Sequence, residues 1–146
     1  MILMMFFVSV PTPKKVFLIL SGAAAQKFGA KIQNEEEVLL AAADITGEIY
    51  AAESAVLRAI KNHPKVSDKK KAIYEALVTV VCFESSERLA YAARKAAYGV
   101  EEGDTLLAIL SGIRRYTKYN AEGLIHAKRL ISNEVKELGR YPFERG

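Results

Sequence analysis

Between Asn34 and Lys61 the apolar positions recur at Val38, Ala42, Ile45, Ile49, Ala52, Val56 and Ile60, in steps of three or four. Steps of that size draw one stripe along one face of an α-helix, because a turn takes 3.6 residues. Asn34 stands where an N-cap belongs, Glu37 completes a capping-box-like pair with it, and Glu35 to Glu37 suit the positive end of the helix dipole. The helix has to stop near His63-Pro64, since the residue before a proline is pushed out of the α region. At ~1.5 Å per residue the rod is about 42 Å long, so it predicts long neighbours, and the remaining segments read as its packing partners.

The same periodicity recurs on both sides. A first helix is predicted from about Pro13 to Phe28 with Gly29 as its C′ residue, and Gly29 to Gln33 forms a short link into the long helix. Ser67 with Asp68 starts a third helix running to Tyr98 and closed by Gly99. Its β-branched centre, Val78 to Val81, reads locally as a strand. The flanking period of Ile73, Leu77, Val80 or Val81, Leu89, Ala93 and Ala96 makes it a helix. After a turn at Val100 to Gly103, Asp104 caps a shorter fourth helix with Leu106, Ile109, Leu110 and Ile113 on its buried face. Asn120 caps a fifth, with Leu124, Ile131, Val135 and Leu138 inward, Gly139 ending it and Pro142 preventing its continuation. Short links favour antiparallel neighbours, and the repeated alanines of these helices allow close approach. The predicted fold is all-α, an up-and-down bundle of about five helices, two of them long.

Composition narrows this little further. A chain of 146 residues suits one domain, divided here into an apolar segment or residual linker over residues 1–13 and a helical bundle over 14–146. Met1 to Val10 is apolar but too short to span a bilayer as a helix. Lys14-Lys15 followed by VFLILSGAAA imitates a signal peptide, yet the run continues into Gln26 to Gly29 as a helix with a glycine end. One cysteine, Cys82, allows no intrachain disulfide, fits a reducing, cytoplasmic setting, and sits in an apolar run as a core filler. The net charge of +4 is uneven. Asn34 to Lys61 holds six acidic against two basic residues, and Asp104 to Gly146 five against eight. Complementary solvated faces of neighbouring helices account for that without an anionic partner.

Candidate chemistry is sparse. No dinucleotide fingerprint, P-loop, zinc spacing or fixed-period repeat occurs. Glu84 and Glu87, with Glu48 and Glu53 on the long helix, invite a dimetal-carboxylate reading, but such bundles need Glu-x-x-His on two helices and only Glu122 with His126, four apart, comes near. Glu84 with Arg88 is more simply an i,i+4 ion pair. His63 reads as a solvated loop residue and His126 as a surface or packing residue; neither has the neighbours of a triad. No catalytic, cofactor-binding or metal-binding residue is therefore assigned. Arg114, Arg115 and Lys118, interleaved with Tyr116 and Tyr119, together with Lys128 and Arg129, form the one basic surface that could meet an anionic membrane or a phosphate-bearing ligand, with Lys69 to Lys71 as a solvated run. Cations in the last turn of a helix also complement its dipole, and nucleic acid is an unlikely partner.

Three stretches carry a resemblance: QKFGAKIQNEEEVLLAAADITGEIYAAESAVLRAIK, AIYEALVTVVCFESSERLAYAARKAA and EEGDTLLAILSGIRRYTKYNAEGLIHAKRLIS. Their most specific marks are Gly103-Asp-Thr-Leu106, the run from Leu110 to Tyr119, a closing basic helix, and the centre Ile49 to Ala55. Over roughly Val16 to Phe143 the chain resembles the C-terminal helical extension of very-long-chain-type acyl-CoA dehydrogenases. The resemblance implies a non-catalytic accessory domain of fatty-acid β-oxidation enzymes that packs on an FAD-binding catalytic part, or on itself as a homo-oligomer, and in mitochondrial members helps the enzyme sit on a membrane. FAD, acyl-CoA and the catalytic glutamate belong to the part upstream, which no stretch here matches. Met1 to Thr12 departs from the expected linker, so the chain reads as a fragment or a truncated reading frame. The other reading is an autonomous anion- or membrane-surface module using the basic face.

Overall fold

The computed structural model describes residues 12–143. Five α-helices follow one another: α1 Thr12–Phe28, α2 Glu36–Asn62, α3 Asp68–Val100, α4 Gly103–Tyr116 and α5 Leu124–Leu138, with tight 3-10 turns at Gly29–Asn34 and His63–Lys65. No strand occurs among the described residues, and Ala76 to Phe83 lies inside α3. The all-α bundle is the fold that the periodicity predicts, with its two longest helices side by side. The expectations for Met1 to Val10 fall outside the described residues.

The centre of the bundle is not where the sequence put it. α2 packs mainly on α3, whereas α3 packs on all four other helices, most extensively on α2 and then on α5. α3 therefore buries side chains around much of its circumference, including Ile73, Tyr74, Val78, Cys82, Ser85, Leu89, Ala93 and Ala97. Small residues are what allow this. Alanine and serine at the contacts let neighbouring backbones come close on several sides at once, which a leucine stripe could not. The buried stripe of α2 is Val38, Ala41, Ile45, Ile49, Ala52, Val56 and Ala59, so Ala42 and Ile60 give way to Ala41 and Ala59.

The core has two main clusters along the α2–α3 pair, besides a smaller one of Ala24, Val38 and Val100. One cluster gathers Val16 and Leu20 of α1, Ile45 and Ile49 of α2, Leu89 and Ala93 of α3, and Ile109 and Ile113 of α4. The other gathers Val56, Ile73, Val78 and Cys82 with Phe143. Phe143 stacks on Tyr74, ring centroids 4.1 Å apart, and so fastens the chain beyond α5 to the start of α3.

The helix ends match the expected places better than the expected caps. Ser67 does cap α3, its hydroxyl accepting from Lys70 N at 3.5 Å. Asn34 does not cap α2: it belongs to the preceding 3-10 turn, the cap position is Glu35, and no side chain closes it. Asp104 lies inside α4, where Glu102 holds the cap position. At α5 the cap is Gly123, with φ +78°, while Asn120 Oδ1 accepts from Glu122 N at 3.2 Å and shapes the turn before it. Gly99 is helical and α3 runs on to Val100; the positive φ falls instead at Gly103. In α5 the buried positions are Ala127 and Glu134, and Val135 and Leu138 stay exposed. The inward face is thus rotated from the expected one.

Candidate functional site

Three of the carboxylates that the sequence singles out, Glu48, Glu53 and Glu84, each find a cation on a neighbouring helix. Arg88 on α3 donates to both oxygens of Glu48 on α2, Nε at 2.6 Å and the second guanidinium nitrogen at 3.1 Å. Glu84, one turn back, takes Lys128 of α5 at 2.7 Å and lies 3.8 Å from Arg88, the i,i+4 pair expected for it. Glu53 pairs with Lys14 of α1 at 2.6 Å. Paired in this way the acids staple helices rather than converge on an ion. Among the described residues no three His, Cys, Asp or Glu side chains are placed to hold a metal.

The electrostatics follow from the pairing. Burial alone would raise the Glu48 pKa. Burial is the largest single influence, but the hydrogen bonds from Arg88 and Ser85 and the charge of Arg88 together outweigh it, and the group titrates below its ordinary 4.5. Ser85 Oγ is itself buried and closes no full hydrogen bond of its own. Beside it lies a cavity of about 30 Å³, bordered by Glu48, Ser85, Tyr116 and Tyr119 and large enough to hold a water. A carboxylate depressed in the folded state contributes stability above its unfolded pKa, and loses it as the pH falls through the folded value. Arg88→Ala is accordingly expected to lower stability near neutrality by about 1 kcal/mol, the guanidinium being more than half exposed, and to flatten the acid limb of the stability curve. Urea unfolding at roughly pH 7 and roughly pH 3 checks it; equal losses at both would contradict the pairing.

The other singled-out groups have structural roles. Burial pushes the Cys82 thiol up to about 12, so it stays protonated and inert, as a core filler should. It faces Tyr119, whose own pKa burial and the thiol raise to about 12. His63 is a correction: it is half-buried rather than a solvated loop residue, with Nε2 2.9 Å from Glu75. His126 is exposed on α5. Lys69 bridges to Glu134 at 2.8 Å and Glu137 at 3.0 Å, which explains how a carboxylate can lie buried on α5. No local pattern in the sequence announces that bridge, since its partners are 65 and more residues apart.

Of the basic surface, Arg114, Arg115, Lys118, Lys128 and Arg129 are all exposed, but they do not act as five free cations. Lys128 is taken up by Glu84, and the Arg115 guanidinium lies 5.7 Å from the Tyr116 ring centre. Moreover α4 and α5 each pack on α3 without substantial contact between them. No described helix is long and apolar enough to cross a membrane. An apolar cavity of about 180 Å³ under α1, between Leu20, Val38 and Ala96, is below the size of a cofactor cleft.

What remains chemically distinctive is the outside of the helices. Each of the five leaves at least one large apolar side chain exposed, among them Leu18, Tyr50, Tyr91, Leu107 and Ile125. These side chains lie on the outside of a bundle whose helices are linked by the ion pairs above. The family model for "Acyl-CoA dehydrogenase, C-terminal domain" matches residues 12–115. The chain belongs to that family. It is 34% identical over 128 residues to a "Probable acyl-CoA dehydrogenase" of Bacillus subtilis (strain 168), an alignment covering 88% of this chain and 22% of the relative. It also superposes on the crystal structure of an acyl-CoA dehydrogenase complexed with FAD from Bacillus anthracis, with a TM-score of 0.85 and 34% identity, over 95% of this chain and 23% of that one. The chain thus spans about a fifth of the length of both relatives.

Proposed function

We propose that this chain is the accessory helical part of an acyl-CoA dehydrogenase of the very-long-chain type, without catalytic chemistry of its own, acting by packing against an FAD-bearing catalytic part or a second copy. The observation that carries this reading is the apolar surface left on every helix of a bundle in which Glu48, Glu53 and Glu84 are committed to ion pairs between helices. Scattered exposed leucines are ordinary on a monomer, but α1 and α4 pack together and each keeps a leucine about two-thirds exposed, Leu18 and Leu107. Flavin binding, acyl-CoA binding and proton abstraction fall to the catalytic part. The very-long-chain type rests on the GDTL and LSGIRRYTKY runs that mark the resemblance.

A chimera tests this. When the chain replaces the matching segment of the Bacillus subtilis relative, the product should assemble, retain flavin and, on this reading, oxidise acyl-CoA. Leu18→Asp with Leu107→Asp should lower its flavin content and yield of assembled enzyme. The chain alone should neither bind FAD nor turn over acyl-CoA. Turnover by the isolated chain, or FAD retained through its purification, would overturn the proposal.

A further inference from the structure

The outward face of α2 has an order that packing among the described residues does not explain. Its buried positions lie on one side of the helix, and on the opposite side Leu40, Ala43, Gly47, Tyr50, Ser54 and Leu57 follow one another at intervals of three and four. That is the spacing of a heptad seam, the line along which one helix meets another. The seam is open: Tyr50 is 74% exposed, Leu40 59% and Leu57 54%.

The seam is also complementary to itself. Turn a second copy end for end about an axis passing between Glu48 and Ile49, and every layer finds a matching one. Leu40 meets Leu57, Ala43 meets Ser54, and Gly47 meets Tyr50, the smallest residue opposite the largest. Beside the seam, the exposed Leu39 then flanks the exposed Ile60, so all five large apolar side chains that α2 leaves in solvent are accounted for. At the ends Glu36 faces Lys61, an acid at one end of the helix against a base at the other. Neither has an ion-pair partner among the described residues. A parallel arrangement would instead set Glu36 on Glu36 and Tyr50 on Tyr50. Gly47 borders a shallow groove of about 600 Å³ between α2 and α3, walled by Ala43 and Tyr91, into which the opposing tyrosine can pass.

We propose that α2 is a self-pairing helix: two copies of this chain associate antiparallel through the Leu40 to Leu57 seam, the Tyr50 ring of each seated at Gly47 of the other. The proposal rests on the reading that the module works by packing, and commits it to a second copy and to one register.

Gly47 makes the test clean. A Cβ built there meets nothing within 4 Å, so a side chain at this position leaves the single chain undisturbed. Because glycine is less favourable than other residues in a helix interior, Gly47→Arg should not lower the melting temperature. In sedimentation equilibrium of the whole chain, the parent should show a concentration-dependent monomer–dimer equilibrium, and Gly47→Arg should weaken it at least about tenfold by blocking both tyrosine seats. Glu36→Lys should weaken it severalfold, and Glu36→Lys with Lys61→Glu should restore it, the effects being small because such pairs are solvated.

Register has its own readout. Ala43 and Ser54 lie ~16 Å apart along one helix, so a disulfide in Ala43→Cys/Ser54→Cys can only join two copies. Cys82 is fully buried and does not interfere. The double variant should cross-link on mild oxidation and single Ala43→Cys should not. A chain monomeric at every concentration, a dimer indifferent to Gly47→Arg, or cross-linking through Ala43→Cys alone would each overturn the proposal. If the chain is monomeric but Gly47→Arg blocks assembly of the chimera, the seam belongs to the catalytic part: self-pairing falls and the accessory role stands.

Discussion

Ile45→Ala is expected to destabilise the folded chain by about 3 kcal/mol, which for a domain of this size lowers the melting temperature by about 10 °C. Ile45 is 1% exposed and sits in the cluster where α1, α2, α3 and α4 come together. Its neighbours are held by four different helices and by small residues already in close contact, so they cannot move inward to fill the space of three lost carbons. The cost therefore includes the cavity as well as the transfer of the side chain. Leu57→Ala, on the exposed side of the same helix, should cost under about 1 kcal/mol in the monomer. Urea and thermal unfolding of both variants supply the comparison. Equal losses would mean that α2 does not present the face described to its neighbours.

Phe143→Ala should cost about as much, roughly 3 kcal/mol, for a different reason. Phe143 is buried, stacks on Tyr74 at an interplanar angle of 27°, and receives the edge of Tyr141 at 5.7 Å. It holds the chain that follows α5 against α3, so its loss should also loosen α5, whose principal packing partner is α3. Hydrogen exchange checks this: amides of α5 should lose protection in the variant while those of α2 keep theirs. Uniform loss across the chain would show that Phe143 serves general stability rather than this one attachment.

Helix number, type and approximate limits were legible because amphipathic periodicity is a local property. The organising helix was not legible, and for a physical reason. A clean stripe, as on α2, marks a helix with one buried side, and therefore one near the periphery. α3 touches all its neighbours, so its inward residues include Ser85, Ser86, Ala90, Ala92, Ala93 and Ala97, which blur any moment toward a single face. Capping was over-read in the same way. Asn34, Asp104 and Asn120 are the right residue types near helix starts, yet Glu35, Glu102 and Gly123 occupy the cap positions. The face of α5 turned on Glu134, whose burial depends on Lys69 across the bundle. Local sequence ranks a glutamate as solvent-facing and has no means of seeing the distant partner. For the candidate site, the ion pair of Glu84 with Arg88 was expected from spacing, whereas Glu48 and Lys128 joined it only through the fold.

At ~1.5 Å per residue α3 is a single rod about 50 Å long, gripped near its start by Phe143 and near its end by α1 and α4. Such a rod behaves as a lever. A rotation of about 5° imposed at Tyr74 carries Ala97 through roughly 3 Å, more than a packed interface can absorb without choosing a new arrangement. Because α2 is packed along the rod, a push at one extremity is resisted by the whole length of that pair.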